Sequence, residues 1–178
     1  MKKWYSAIIL LVVALDRFVK LWTVKTLDLY ETMPLWPGVF HFTYLQNTGA
    51  AFGMLEGQMA LFYAITSIFV LALIWVLYFR PPKLMMCGVG LALMLAGALG
   101  NFYDRVVYSY VVDTFDFRLI NFAVFNVADS AVCVGAGLFF LFYIIDDLKT
   151  SKKNKALAEG AAEAESEGKT ADIEATEE

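Results

Sequence analysis

The residues able to do chemistry in this 178-residue chain fall into three clusters set in apolar sequence. Asp16 and Lys20 are spaced by four, which puts them on one helix face with the acid toward the N-terminus, where they can pair. Asn101, Asp104 and Arg105 share a face if the preceding helix runs on, and Asp113 follows them. Asn126 and Asp129 open the last apolar segment. Asp129 has two readings, a first-turn acid favoured by the helix dipole and one half of an acid pair. Asp113 and Asp129 can fold against each other without either crossing a membrane. Two carboxylates a few ångströms apart in a partly dry site cannot both ionise, so they share a proton. The ionised member can take a proton from a water attacking a carbonyl, while the protonated member donates to the carbonyl oxygen or leaving amine. Spacing alone does not prove that these two acids meet. Asp16 and Lys20 read equally as a structural ion pair, and Asp104 with Arg105 as a solvated helix end.

Other chemistries find little support. The single histidine, His41, cannot build a zinc site, and no HExxH pattern occurs. Cys87 and Cys133 lie in apolar runs and read as small packing residues. No cofactor is expected.

The elements that must position these groups are membrane spans. Hydrophobic residues make up 60% of the chain and mean hydropathy is +0.60, more apolar than a soluble domain. Spanning helices are expected at about 4–23, 59–79, 84–103 and 128–147, giving an integral membrane, mainly α architecture of four transmembrane helices. The first could also be a secretory signal peptide, but no A-x-A-like site follows it, and it reads as a retained helix. Gly88, Ala92, Ala96 and Gly100 form a stripe of small residues along the third helix, where a neighbour can approach closely.

Positive charge sets the orientation. Lys2 and Lys3, Arg80 and Lys83, and Lys149, Lys152, Lys153 and Lys155 fall on one side, expected to be cytoplasmic. The loops at about 24–58 and 101–129 then lie outside. Val39–Leu45 and Val106–Val112 read as short strands there, and Trp36, Tyr44 and Tyr108 suit the interfacial aromatic belt. Residues 156–178 hold eight acids and one base, so the tail carries −7 and the body +3. The domain is expected over 1–148, and 149–178 reads as a basic, then acidic disordered cytoplasmic tail.

Five blocks carry a resemblance: Asp16–Lys20, Asn47–Phe52, Ala96–Arg105, Val111–Asp113 and Phe125–Ser130. Together, in this order and across about residues 4–147, they resemble the lipoprotein signal peptidase (signal peptidase II) family. The resemblance implies a bacterial inner-membrane enzyme with four helices and a small β-cradle on the outer face. It implies cleavage of prolipoprotein signal peptides N-terminal to a diacylglyceryl-modified cysteine, with Asp113 and Asp129 catalytic. By the same likeness Asn47, Gly97, Asn101, Arg105 and Asn126 line the substrate site, while Asp16, Lys20 and Asp104 support the structure. Lipidated prolipoproteins, membrane lipid and globomycin-type inhibitors are the implied partners, with no nucleic acid. Departures from the family pattern are Arg17 for Gln, Ala96 for Gly, Thr114 for an aromatic and Ala123 for Pro. Two other classes are a small transporter, which would need internal repeats that the sequence lacks, and a tetraspan scaffold, which would tolerate loss of either aspartate.

Overall fold

The computed structural model describes residues 3–49 and 59–174. Its elements run α1 (Lys3–Thr26), β1 (Thr32–Trp36), β2 (Phe40–Asn47), α2 (Met59–Phe79), α3 (Met85–Tyr108), β3 (Val111–Asp116), a short 3-10 helix (Arg118–Ile120) and α4 (Val127–Glu174). By contacts the chain divides into two units, Met1–Phe140 and Leu141–Glu178. Ala50, Ala51, Phe52 and Lys2 lie outside the described residues.

Among the described residues, three helical stretches are long and apolar enough to cross a membrane: Ala60–Phe79, Met85–Tyr108 and Val127–Asn154. α1 has 24 residues and so spans about 36 Å against a hydrocarbon core of about 30 Å. Two of its mid-helix charges, Asp16 and Lys20, do not face outward. Asp16 and Lys20 are 0% and 1% exposed, while Leu10, Leu11, Leu15 and Phe18 point away from the protein. The result is the expected mainly helical membrane architecture with a small sheet.

α3 is the hub of the first unit. Its small-residue stripe is buried, with Ala92 and Ala96 almost fully covered, and it packs against α1. Another α3 face meets α2 through Leu91, Leu95, Val70, Leu73 and Leu77. Gly97 and Gly100 let the start of α4 approach on a third. A Cβ on Gly97 would strike the Ala128 carbonyl, and one on Gly100 would come within 2.7 Å of Asp16 Oδ2.

The sheet has order β1-β2-β3, antiparallel throughout, and packs against α1 and α3. Its register sets Leu45 opposite Asp113 and Asn47 opposite Val111. Pro34 sits in edge strand β1, where its missing N–H costs no central ladder bond.

Several expectations at this end are corrected. Val106 to Tyr108 are not strand. α3 continues to Tyr108 and ends at Ser109, which adopts the left-handed conformation (φ 64°). Val106 and Val107 are exposed on the helix surface, where β-branched residues fit a lipid-facing position despite their strand propensity. The strand begins at Val111 instead. β1 carries no sequence expectation because Pro34 and Pro37 interrupt its pattern. Tyr44 is no interfacial aromatic: it is buried with Leu27 and Val112 in a small core beneath the sheet. Trp36 is exposed. α4 runs on through residues 149–174. The Ala, Glu and Lys content that denies this stretch a core also gives it high helix propensity.

Candidate active site

The sequence around Asp129 folds as a reciprocal helix cap. Asn126 precedes the first residue of α4 and Asp129 is its third. The Asp129 amide donates to Asn126 Oδ1 (2.9 Å), and the Asn126 amide donates to Asp129 Oδ2 (3.1 Å). This is the capping-box arrangement, built here from Asn and Asp. The cap holds the Asp129 carboxylate in the first turn, where free backbone amides favour negative charge.

The cap is tied to β3 by the residues just before it. Phe115 and Phe125 form an antiparallel bridge, with N–H to carbonyl distances of 2.7 and 3.0 Å, and the Thr114 amide also donates to the Phe125 carbonyl. Asn126 is thereby delivered to Asp113. Its Nδ2 donates to Asp113 Oδ1 (2.7 Å), with Asn101 Oδ1 (3.1 Å) and the Val112 carbonyl (3.4 Å) nearby. Asn126 is 0% exposed. One amide side chain therefore contacts Asp113 with its nitrogen and the Asp129 backbone with its oxygen.

Each acid receives a second amide. Asn47, at the end of β2, donates to Asp113 Oδ2 (2.9 Å), and Asn101 on α3 donates to Asp129 Oδ1 (2.7 Å). Four elements thus converge on two carboxyls. Asp113 is 1% exposed, and burial first, the nearby Asp129 charge second, push its carboxyl up to about 7. The Asn47 and Asn126 hydrogen bonds and the Lys20 charge oppose that rise.

Both acids line a cleft of about 500 Å³ with Asn47, Gly49, Asn101, Arg105 and the apolar segment Phe122–Phe125. Arg105 Nη2 donates to the Gly49 carbonyl (3.2 Å) and its guanidinium lies over the Phe62 ring. Tyr63 steadies the same turn by donating to the Arg105 carbonyl (2.8 Å). Gly97 and Asn126, against expectation, do not line the cleft: Gly97 packs where α3 touches Ala128, and Asn126 is fully buried behind the two acids.

Asp16, Lys20 and Asp104 form a buried ionic cluster below the acids. Lys20 Nζ is 2.8 Å from Asp16 Oδ2, 2.9 Å from Asp104 Oδ2 and 2.9 Å from Asn101 Oδ1. Asp104 is 0% exposed, so it does not solvate the helix end; it also accepts from the Val112 amide (3.3 Å). Asp16 Oδ1 accepts from the Ala128 amide at the start of α4 (3.0 Å).

Sequence reasoning missed four contributors. Arg17 pairs with Asp104 and stacks over Tyr103. Thr114 exchanges a buried hydrogen bond with Thr23 (2.9 Å), which explains how a hydroxyl is accommodated there. Cys133 is exposed and lines the cleft instead of packing, whereas Cys87 is buried. Tyr63 carried no signal beyond its place in an apolar helix. His41 is structural. Gly38 N–H donates to Nε2 (3.2 Å), which leaves Nδ1–H to reach Thr32 Oγ1 (3.1 Å).

A model of the family described as signal peptidase (SPase) II matches residues 8–145. A lipoprotein signal peptidase of Enterococcus faecalis is 44% identical over 151 residues, covering 85% of this chain and 93% of that protein. One from Bacillus subtilis is 39% identical over 151 residues, covering 84% and 98%. A solved structure described as a bacterial membrane enzyme, obtained by the in meso method, superposes with a TM-score of 0.78 at 32% identity, covering 83% of this chain and 91% of that one. A mainly helical membrane fold, a matching family model and relatives aligned almost end to end agree: the chain belongs to the lipoprotein signal peptidase (signal peptidase II) family.

Proposed function

We propose that Asp113 and Asp129 are the catalytic pair with which this protease cleaves signal peptides from prolipoproteins. The observation that carries the assignment is the Asn126 side chain, which joins both acids at the wall of one cleft while Asp113 is held near neutrality. Asp113, buried, carries the shared proton. Asp129, at a helix N-terminus and more open to the cleft, is the base. A water held between them loses a proton to Asp129 as its oxygen bonds to the scissile carbonyl carbon. Asp113 gives its proton to the carbonyl oxygen, forming a neutral tetrahedral diol. Collapse of the diol breaks the C–N bond, the proton on Asp129 passes to the leaving amine, and a diol hydroxyl returns a proton to Asp113. The four amide contacts fix both carboxyls before substrate arrives, so little reorganisation is needed.

The substrate bond is the one N-terminal to a diacylglyceryl-modified cysteine. A signal peptide is an apolar helix, and lipid adds about 0.8 kcal/mol per buried methylene, holding that cysteine at the depth of the cleft. Asn47, Asn101 and Arg105 contact the substrate there, Asn126 serves from behind the cleft by holding both acids, and Gly97 acts from beneath by bringing α4 close. Globomycin-type inhibitors compete for the same cleft. The lysines and arginines at the opposite helix ends favour the bacterial inner membrane with both termini cytoplasmic and the acids near the outer leaflet.

The test is incubation of purified protein in lipid with a diacylglyceryl-modified precursor. Asp113→Asn and Asp129→Asn, each inserted normally, are expected to abolish cleavage. Normal processing by either variant defeats the assignment.

A further inference from the structure

We infer that Lys20, which does not line the cleft, is a positioning residue that fixes the orientation of the Asn101 amide and through it the Asp129 carboxylate. This rests on the catalytic assignment above. Asn101 contacts Asp129 through Nδ2 (2.7 Å), which is productive only if its oxygen points the other way. Lys20 Nζ, a donor with no acceptor capacity, lies 2.9 Å from that oxygen. A flipped amide would set its NH₂ against an ammonium and its oxygen against a carboxylate, so both contacts become repulsive. The second donor to Asn101 Oδ1, Asn126 Nδ2, is shared with Asp113 and Val112 and is the weaker guide.

Lys20 is itself held rigidly. It is 1% exposed and has three partners: Asp16 from α1, and Asp104 and Asn101 from α3. The charged groups that face it are Asp16 on α1, Asp104 on α3 and Asp113 on β3, with Arg17 paired to Asp104. Asp16 and Asp104 are balanced by Lys20 and Arg17, so the cluster is neutral and can stay buried. A merely structural role would need only that neutrality. Contact with Asn101 adds a requirement for a donor at this one position.

The two roles separate in the charge-balanced variant Asp16→Asn/Lys20→Met. It removes one charge of each sign and keeps the Arg17–Asp104 pair. Its melting temperature is expected to exceed that of Lys20→Met, yet its kcat is expected to stay down by about 10- to 100-fold, the rate equivalent of one charge-assisted hydrogen bond, with KM little changed. Adding Asn101→Ala to it is expected to lower kcat little further, because the contact to Asp129 that Lys20 orients is already lost, while the lost substrate contact appears in KM. Lys20→Arg, which keeps a donor, is expected to recover part of kcat. Restoration of kcat in the balanced variant, or a full additional loss on adding Asn101→Ala, overturns the inference. Wild-type protein that fails to cleave the precursor in the same assay defeats the functional reading instead.

Discussion

Replacing Asn126 with alanine removes the side chain that touches both acids while leaving the acids in place. The Asn126 nitrogen donates to Asp113 Oδ1 at 2.7 Å in a fully buried setting. A buried hydrogen bond to a charged group contributes about 1.5–3 kcal/mol. At about 1.4 kcal/mol per unit, its loss raises the Asp113 carboxyl further by about 1–2 pH units. Asp113 is the proton donor, so activity falls as pH rises through its titration, which is centred at about 7. The expected outcome in Asn126→Ala is therefore an alkaline limb of kcat moved upward by about 1–2 units. The maximum falls at the same time, by about 100-fold, because carboxyls free to move by about 1 Å lose their alignment. Alanine also removes the cap, costing about 1 kcal/mol of stability. Asn126→Ser separates the two effects, since serine caps a helix but cannot reach Asp113 with an amide. It is expected to show the same displaced limb with a smaller drop in melting temperature. The assay is cleavage of a lipidated fluorogenic peptide from pH 5 to 10. A limb that stays in place, or moves down, refutes proton sharing between Asp113 and Asp129.

Asp113→Asn is expected to be dead but more heat-stable than wild type at pH 8. An acid held near 7 when folded and near 4 when unfolded contributes fully below about pH 4, and that stability drains away as pH rises to 7, by at most about 4 kcal/mol. The amide escapes this loss, so the gap in melting temperature is expected to close toward pH 4; a gap independent of pH counts against it. Gly97→Ala puts a methyl into the Ala128 carbonyl, which must push α4 away from α3. Its kcat is expected to fall more than about tenfold while the protein still inserts, and unchanged kcat would show that α4 can yield without moving Asp129. A bulky maleimide on exposed Cys133 is expected to block cleavage of the long precursor, with Cys133→Ser resistant. Equal inactivation of Cys133→Ser would place the effect at another thiol.

The apolar runs read correctly as helices because lipid demands the same residue types along a whole span. The charges in α1 read as an ion pair for a related reason, since a helix fixes the distance between Asp16 and Lys20. What sequence could not supply was everything set by contact between distant segments. Asp104 looked solvated because neither Lys20 nor Arg17 is near it in sequence. Tyr44 looked interfacial because nothing local says that Leu27 and Val112 close over it. Val106 and Val107 looked like strand because lipid-facing helix and half-buried strand favour the same β-branched side chains. The first-turn reading of Asp129 was legible because a helix start is local, whereas its contact with Asn101 was not: the residue completes a helix cap with one oxygen and meets Asn101 with the other.

The bridge between Phe115 and Phe125 closes residues 115–125 into a short loop, with Asp113 and Asp129 just outside its two ends. Spans tilt and slide as a bilayer thins or thickens, and a pair of groups carried on separate spans would drift apart with them. Here the strand bearing one acid is stitched to the residue just before the cap of the helix bearing the other, so their separation travels as a unit. In vesicles of differing acyl length, turnover of bound substrate is then expected to hold steady while capture of substrate varies with thickness.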